Sequence, residues 1–127
     1  MQYGMSKTVD LPYEKAIEKV TEELKKEEFG VLTTIDVKET MKKKLNVDFK
    51  RYVILGACNP PLAYKALQAE EQLGLLLPCN VVVYEEGGKS VVSIFDPMVM
   101  ANVVDNKEVQ PIADEVRQRL DRVFAAV

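Results

Sequence analysis

The sequence predicts an α+β fold, and three observations lead there. Five short segments rich in valine, isoleucine and threonine have the length and composition of strands. Two long segments repeat apolar residues at helical spacing. The last two strand-like segments are joined by Glu85-Glu86-Gly87-Gly88-Lys89, a hairpin sequence with glycines able to take positive φ. At 127 residues the chain is expected to form one domain, residues 1–127.

The elements follow in order. Residues 5–11 form a first strand of mixed polarity, and Pro12 suits the first position of a helix, where no N–H is needed. Ala16, Ile17, Val20, Leu24 and Phe29 make the apolar stripe of that helix, and Gly30 is its expected stop. Val31–Ile35 is a second strand. Asp36, with Glu39 three residues on, is an N-cap pattern opening a short helix that carries Val37, Met41 and Leu45 on one face. Tyr52–Cys58 is a third strand. Asn59 and Pro60 then supply a cap and a first helical residue. Leu62, Ala63, Ala66 and Leu67 form the core face of the helix that follows.

After an apolar stretch from Leu73 to Leu77 comes a fourth strand, Val81–Tyr84, and after the hairpin a fifth, Val91–Phe95. Asp96-Pro97 opens a turn that reaches Val104. The final helix runs from about Asn106 to Ala126, with Asp105 and Glu108 at capping spacing and Pro111 placed for the first turn. Its stripe is Val109, Ala113, Val116, Leu120, Val123 and Val127. Strands three and four are apolar at consecutive positions, which implies cover on both faces. Two long helices cover one face, so short inserted helices or a second subunit must cover the other. A homodimer is the expectation.

Composition removes several function classes. There is no histidine, which excludes Ser-His and Cys-His catalysis and histidine-bound metal. The net charge is −3 and the pI near 5.1, so no nucleic acid is expected as a partner. Lys42-Lys43-Lys44, with Lys50 and Arg51 nearby, reads as a solvated helix face. No apolar run reaches the ~18–20 residues of a membrane span, and the first residues carry no apolar leader. The expectations are no membrane association, no cofactor and a cytoplasmic location. Two cysteines make no disulfide framework.

Those two cysteines stand in similar frames, Cys58-Asn59-Pro60-Pro61 and Leu77-Pro78-Cys79-Asn80, each at the end of an apolar strand. If strands three and four pair antiparallel, Cys58, Asn59, Pro60, Cys79 and Asn80 come together as a candidate ligand site. Cys58 would also precede a helix N-terminus, whose dipole favours a thiolate. Four readings stay open. The cysteines are small buried hydrophobes and the asparagines are caps. Or the site binds a small anion or polar metabolite through helix N–H groups and the Asn80 amide. Or Cys58 and Cys79 act as a redox pair in a thiol-dependent enzyme or sensor. Or they bind a soft metal with Met98 or Met100. A binding role is favoured over catalysis. Asp36 and Asp96 are explained as caps.

Several segments together carry a family resemblance: Thr34-Ile35-Asp36-Val37-Lys38, Leu55-Gly56-Ala57-Cys58-Asn59-Pro60, Leu75 through Tyr84, and Asp96-Pro97. The chain resembles the domain-of-unknown-function 302 family over nearly its whole length. The resemblance implies a TBP-like order of strand, helix, four strands and helix, with a mainly antiparallel five-stranded sheet. It also implies extra short helices in the loops, a long C-terminal helix on the sheet, and pairing of chains. It implies no established activity, and the fold alone carries no DNA-binding role.

Overall fold

The computed structural model describes residues 2–127. Five strands form one sheet: β1 (Gly4–Val9), β2 (Gly30–Asp36), β3 (Tyr52–Cys58), β4 (Cys79–Glu86) and β5 (Lys89–Phe95). Their order across the sheet is β1-β5-β4-β3-β2, and every pairing is antiparallel. Five α-helices accompany them: α1 (Tyr13–Lys26), α2 (Val37–Leu45), α3 (Pro60–Ala69), α4 (Met98–Val103) and α5 (Val109–Ala126). A 3-10 helix at Glu71–Leu76 follows α3. The chain order is therefore strand, helix, four strands, helix, with short helices inserted between.

β2 to β5 run as a meander, and β1 returns beside β5. β1 and β2 thus occupy opposite edges, and α1 must cross the sheet to connect them. The core lies between α1, α5 and one face of the sheet. Ala16, Val20 and Leu24 from α1 are fully buried, as are Ala113 and Leu120 from α5. They meet Val53, Leu55 and Ala57 of β3, Val81 and Val83 of β4, and Val92 and Ile94 of β5. Burying each of the larger aliphatic side chains is worth about 1.5–3 kcal/mol, so this layer dominates the stability. The predicted α5 stripe is the buried one: Val109, Ala113, Val116, Leu120 and Val123.

Side chains alternate between faces along each strand. The face away from α1 and α5 carries the Ile54–Val82 and Tyr52–Tyr84 register pairs. The two tyrosine rings stack with centroids 5.2 Å apart and planes at 3°, and Lys50 Nζ lies 4.9 Å from the Tyr84 ring centre. The short helix α2 does not bury this face, because none of its residues is buried. The apolar runs in β3 and β4 thus reflect one covered face and one partly exposed apolar face.

Some local signals act differently from the sequence reading. Gly30 does not stop α1; it is the first residue of β2. The helix ends at Lys26, and Glu28 takes the left-handed conformation with φ 67°. The Phe29 N–H donates to the Leu24 carbonyl at 2.9 Å and the Glu28 N–H to the Lys25 carbonyl at 3.0 Å, which is a Schellman closure. Pro12 caps α1 from outside instead of opening it. Asp105 does not cap α5. The residue before α5 is Glu108, which makes no side-chain cap, and Asn106 closes the preceding turn, its Oδ1 accepting from the Glu108 N–H at 3.0 Å; Pro111 falls in the first turn of the helix. Asp36 caps α2 as predicted, Oδ1 accepting from the Glu39 N–H at 3.0 Å. Gly87 and Gly88 both have positive φ, 58° and 81°, as a two-residue type I′ hairpin requires.

Candidate functional site

β3 and β4 are antiparallel neighbours, with Ala57 opposite Cys79. The end of one and the start of the other lie at the same end of the sheet. Between them the chain makes a long excursion through α3 and the 3-10 helix. This excursion leans back over the sheet end and toward α5, and leaves a cavity of about 300 Å³. Ala57, Cys58 and Cys79 form its sheet wall, and Leu62, Ala63, Ala66 and Leu67 of α3 its opposite wall. Phe29, Met100, Ile112 and Val116 close the inner end. Leu32 and Leu67 are 65% and 40% exposed, which locates the mouth.

Small residues make this space. Ala57, Ala63, Ala66 and Gly74 all line it, where a close-packed interior would hold larger side chains. Their signal in the sequence is an alanine face on α3, which reads equally well as tight helix packing. Phe29, Leu32, Met100, Ile112 and Val116 carry no sequence mark of a site, since they come from four other parts of the chain.

Of the five candidate residues, Cys58, Asn59 and Cys79 line this cavity. Asn80 is not among them. β4 begins at Cys79, so Cys79 faces the core and Asn80 the opposite side, where it is exposed and pairs with Gly56. Pro60 is exposed at the start of α3, and Pro78 supplies the proline wall instead. Met98 stands outside the lining and Met100 within it.

The start of α3 offers nothing to an anion. Pro60 and Pro61 have no N–H. The Leu62 N–H donates to Asn59 Oδ1 at 3.2 Å, and the Ala63 N–H to the Asn59 carbonyl at 2.9 Å. Asn59 is 4% exposed, and its Nδ2 donates to the Glu27 carbonyl at 3.4 Å. The cap is satisfied, and both the oxygen and the nitrogen of its side chain have a partner. No lining residue carries a charge at neutral pH. The cavity is apolar.

The thiols fit that setting. Burial pushes the Cys79 thiol up to about 12, with the neighbouring Cys58 adding to the shift. Burial also raises Cys58. Desolvation opposes the thiolate that a helix dipole would favour at Cys58. Both cysteines are free. Cys79 is level with Ala57, so Cys58 is one residue out of step with it. Successive side chains leave a strand on opposite faces, and both residues line the cavity because it lies at the sheet end. Among the described residues no group of three or more His, Cys, Asp or Glu is arranged to hold a metal ion.

Asp96 is a structural residue. Its Oδ1 accepts from the Met98 N–H at 2.9 Å and its Oδ2 from Arg117 at 2.9 Å. Asp36 lies at the far end of the sheet, level with Val53.

An antiparallel α+β domain with one helix-covered face and an end cavity walled by two proline-flanked cysteines defines the class. The particular family follows from comparison. The model of the domain of unknown function DUF302 matches residues 5–127, and the chain belongs to this family. It is similar to a crystal structure of an uncharacterized conserved DUF302 protein from Bacillus stearothermophilus. That similarity spans 99% of this chain and 98% of the other, at 30% sequence identity and a TM-score of 0.90. No curated protein matches. Among the described residues no helix is long and apolar enough to cross a membrane.

Proposed function

We propose that this chain binds a small, neutral, apolar molecule in the cavity between the β3–β4 sheet end, α3 and α5. One observation carries the reading: an open space of about 300 Å³ is lined by apolar side chains, and the one amide in its wall has both ends of its side chain engaged. Ligand pockets are typically concave, apolar and largely preformed. A polar metabolite or anion would meet no charged partner here. The absence of histidine and the neutral state of both thiols support binding in preference to thiol catalysis.

The test is titration of the protein with a panel of neutral apolar molecules, followed by backbone amide NMR shifts. Binding is expected to move Ala57, Cys58, Ala63 and Ala66 together. Ala66→Leu, which puts a larger side chain into the space, should abolish the shifts while the fold persists. Shifts scattered over the surface, or unchanged by Ala66→Leu, would remove the reading.

A second observation favours self-association. The exposed sheet face offers an apolar strip of Ile35, Ile54 and Val82, flanked by the stacked tyrosines, and Ile35 is 48% exposed. A patch of this kind can meet its own copy across a two-fold axis, as most homo-oligomers do. Sedimentation should give twice the mass of the chain, and Ile54→Glu should return it to a monomer with unchanged secondary structure. A monomer at all accessible concentrations would sink the pairing.

A further inference from the structure

We infer that the cavity selects an aromatic ligand of about two fused rings over an aliphatic one of the same size, an inference that rests on the binding role proposed above. Size comes first. An apolar cavity of about 150 Å³ holds a benzene, and this one is about 300 Å³. Twice the space matches a bicyclic skeleton, or an aliphatic molecule of equal bulk.

The wall chemistry separates these two. Three sulfur-bearing residues line the space, Cys58, Cys79 and Met100, together with one aromatic residue, Phe29. Sulfur is polarizable and sits favourably at the edge or face of a ring. Each such contact is worth roughly a two- to tenfold preference. A Phe ring adds a preference for another ring placed edge-on or offset. An aliphatic guest gains the same burial of apolar area and neither of these terms. The thiols contribute as neutral groups, because Cys79 holds its proton up to about 12. Sulfur-bearing residues from β3, β4 and α4 thus share the lining of one space. Aliphatic side chains of equal volume would fill such positions with better-defined rotamers.

The experiment compares two neutral probes with one carbon skeleton, 2-naphthol and decahydro-2-naphthol, titrated separately into the intact chain by NMR. The hydroxyl keeps both probes soluble, and the ratio of dissociation constants compares the aromatic skeleton with the saturated one. The expected result is at least about fivefold tighter binding of 2-naphthol, with ring-current shifts at the Met100 methyl group. Met100→Leu keeps side-chain volume and should narrow the ratio by at least twofold. Equal or tighter binding of the saturated probe would overturn the aromatic preference and leave the binding role standing. Failure of both probes to bind would overturn both.

Discussion

Asn59 and Glu27 are joined across three helices. The Asn59 side chain caps α3 and donates to the Glu27 carbonyl oxygen at the end of α1. The same carbonyl accepts from Arg119 of α5 at 3.1 Å, and the Glu27 carboxylate receives Arg122 of α5 at 2.8 Å. Glu27 thereby ties α1, α3 and α5 together beside the cavity. The Arg122 hydrogen bond holds its carboxyl below the usual glutamate value. That contribution is present at neutral pH and is lost as pH falls through the folded-state pKa.

Asn59→Ala is expected to cost about 1–2 kcal/mol, the worth of an N-cap, because it orphans the Leu62 N–H next to two prolines that cannot share the load. Asn59→Ser restores the acceptor but not the reach to Glu27, and should recover at least half of the loss. Urea denaturation of the three proteins measures this. An Asn59→Ala variant as stable as the parent would show that α3 is held by packing alone.

Gly56→Ala is expected to destabilise by about 1–3 kcal/mol, the usual cost of overpacking. A Cβ at this position would meet the Thr33 hydroxyl and approach Pro78 Cγ at 2.8 Å, so one of them must shift. Thr33→Ala in the Gly56→Ala background removes one obstacle. A double-mutant cycle should then show coupling between the two sites. Additive losses would place the cost in the backbone and not in this contact.

Cys79 makes stability fall at high pH. Its thiol pKa is raised on folding, so the unfolded chain releases the proton first, from about 9 upward, while the folded chain keeps it to about 12. Stabilisation from this group is complete below pH 9 and declines across that interval. Cys79→Ala should lose less stability than the parent between pH 8 and 10.5, whatever its starting value. In the native protein Cys79 should resist iodoacetamide at pH 8, while Cys58, half-buried, reacts slowly. Fast alkylation of Cys79 without unfolding would contradict the assignment.

The fold was legible where period decides it. The α5 stripe from Val109 to Val123 repeats at helical spacing, and the Gly87-Gly88 pair marks a tight hairpin. The stop after α1 was hidden because a glutamate, not a glycine, takes the left-handed position. The pairing of Asn59 with Pro60 gave the start of α3 correctly, yet its meaning for ligands lay in Pro61 as well. Two prolines in succession strip a helix start of its donors, and that outweighs any attraction from the dipole. Asn80 was misplaced by two residues of strand length. With β4 beginning at Cys79 and not at Val81, the carboxamide goes to the far face. The cavity itself was not legible, since a void is a property of many segments meeting and no single stretch records it.

The irregularity in β2 has a further effect. Val31 is level with Ala57 and Thr33 with Gly56, which leaves Leu32 without a partner. β2 is an edge strand, and an outer edge with evenly spaced free amides is a template on which another chain can polymerise. The extra residue breaks that spacing and increases the local twist, so an incoming strand would find its bonds out of step after two residues. The same displacement that sets a leucine at the cavity mouth makes this edge of the sheet a poorer template for a further strand.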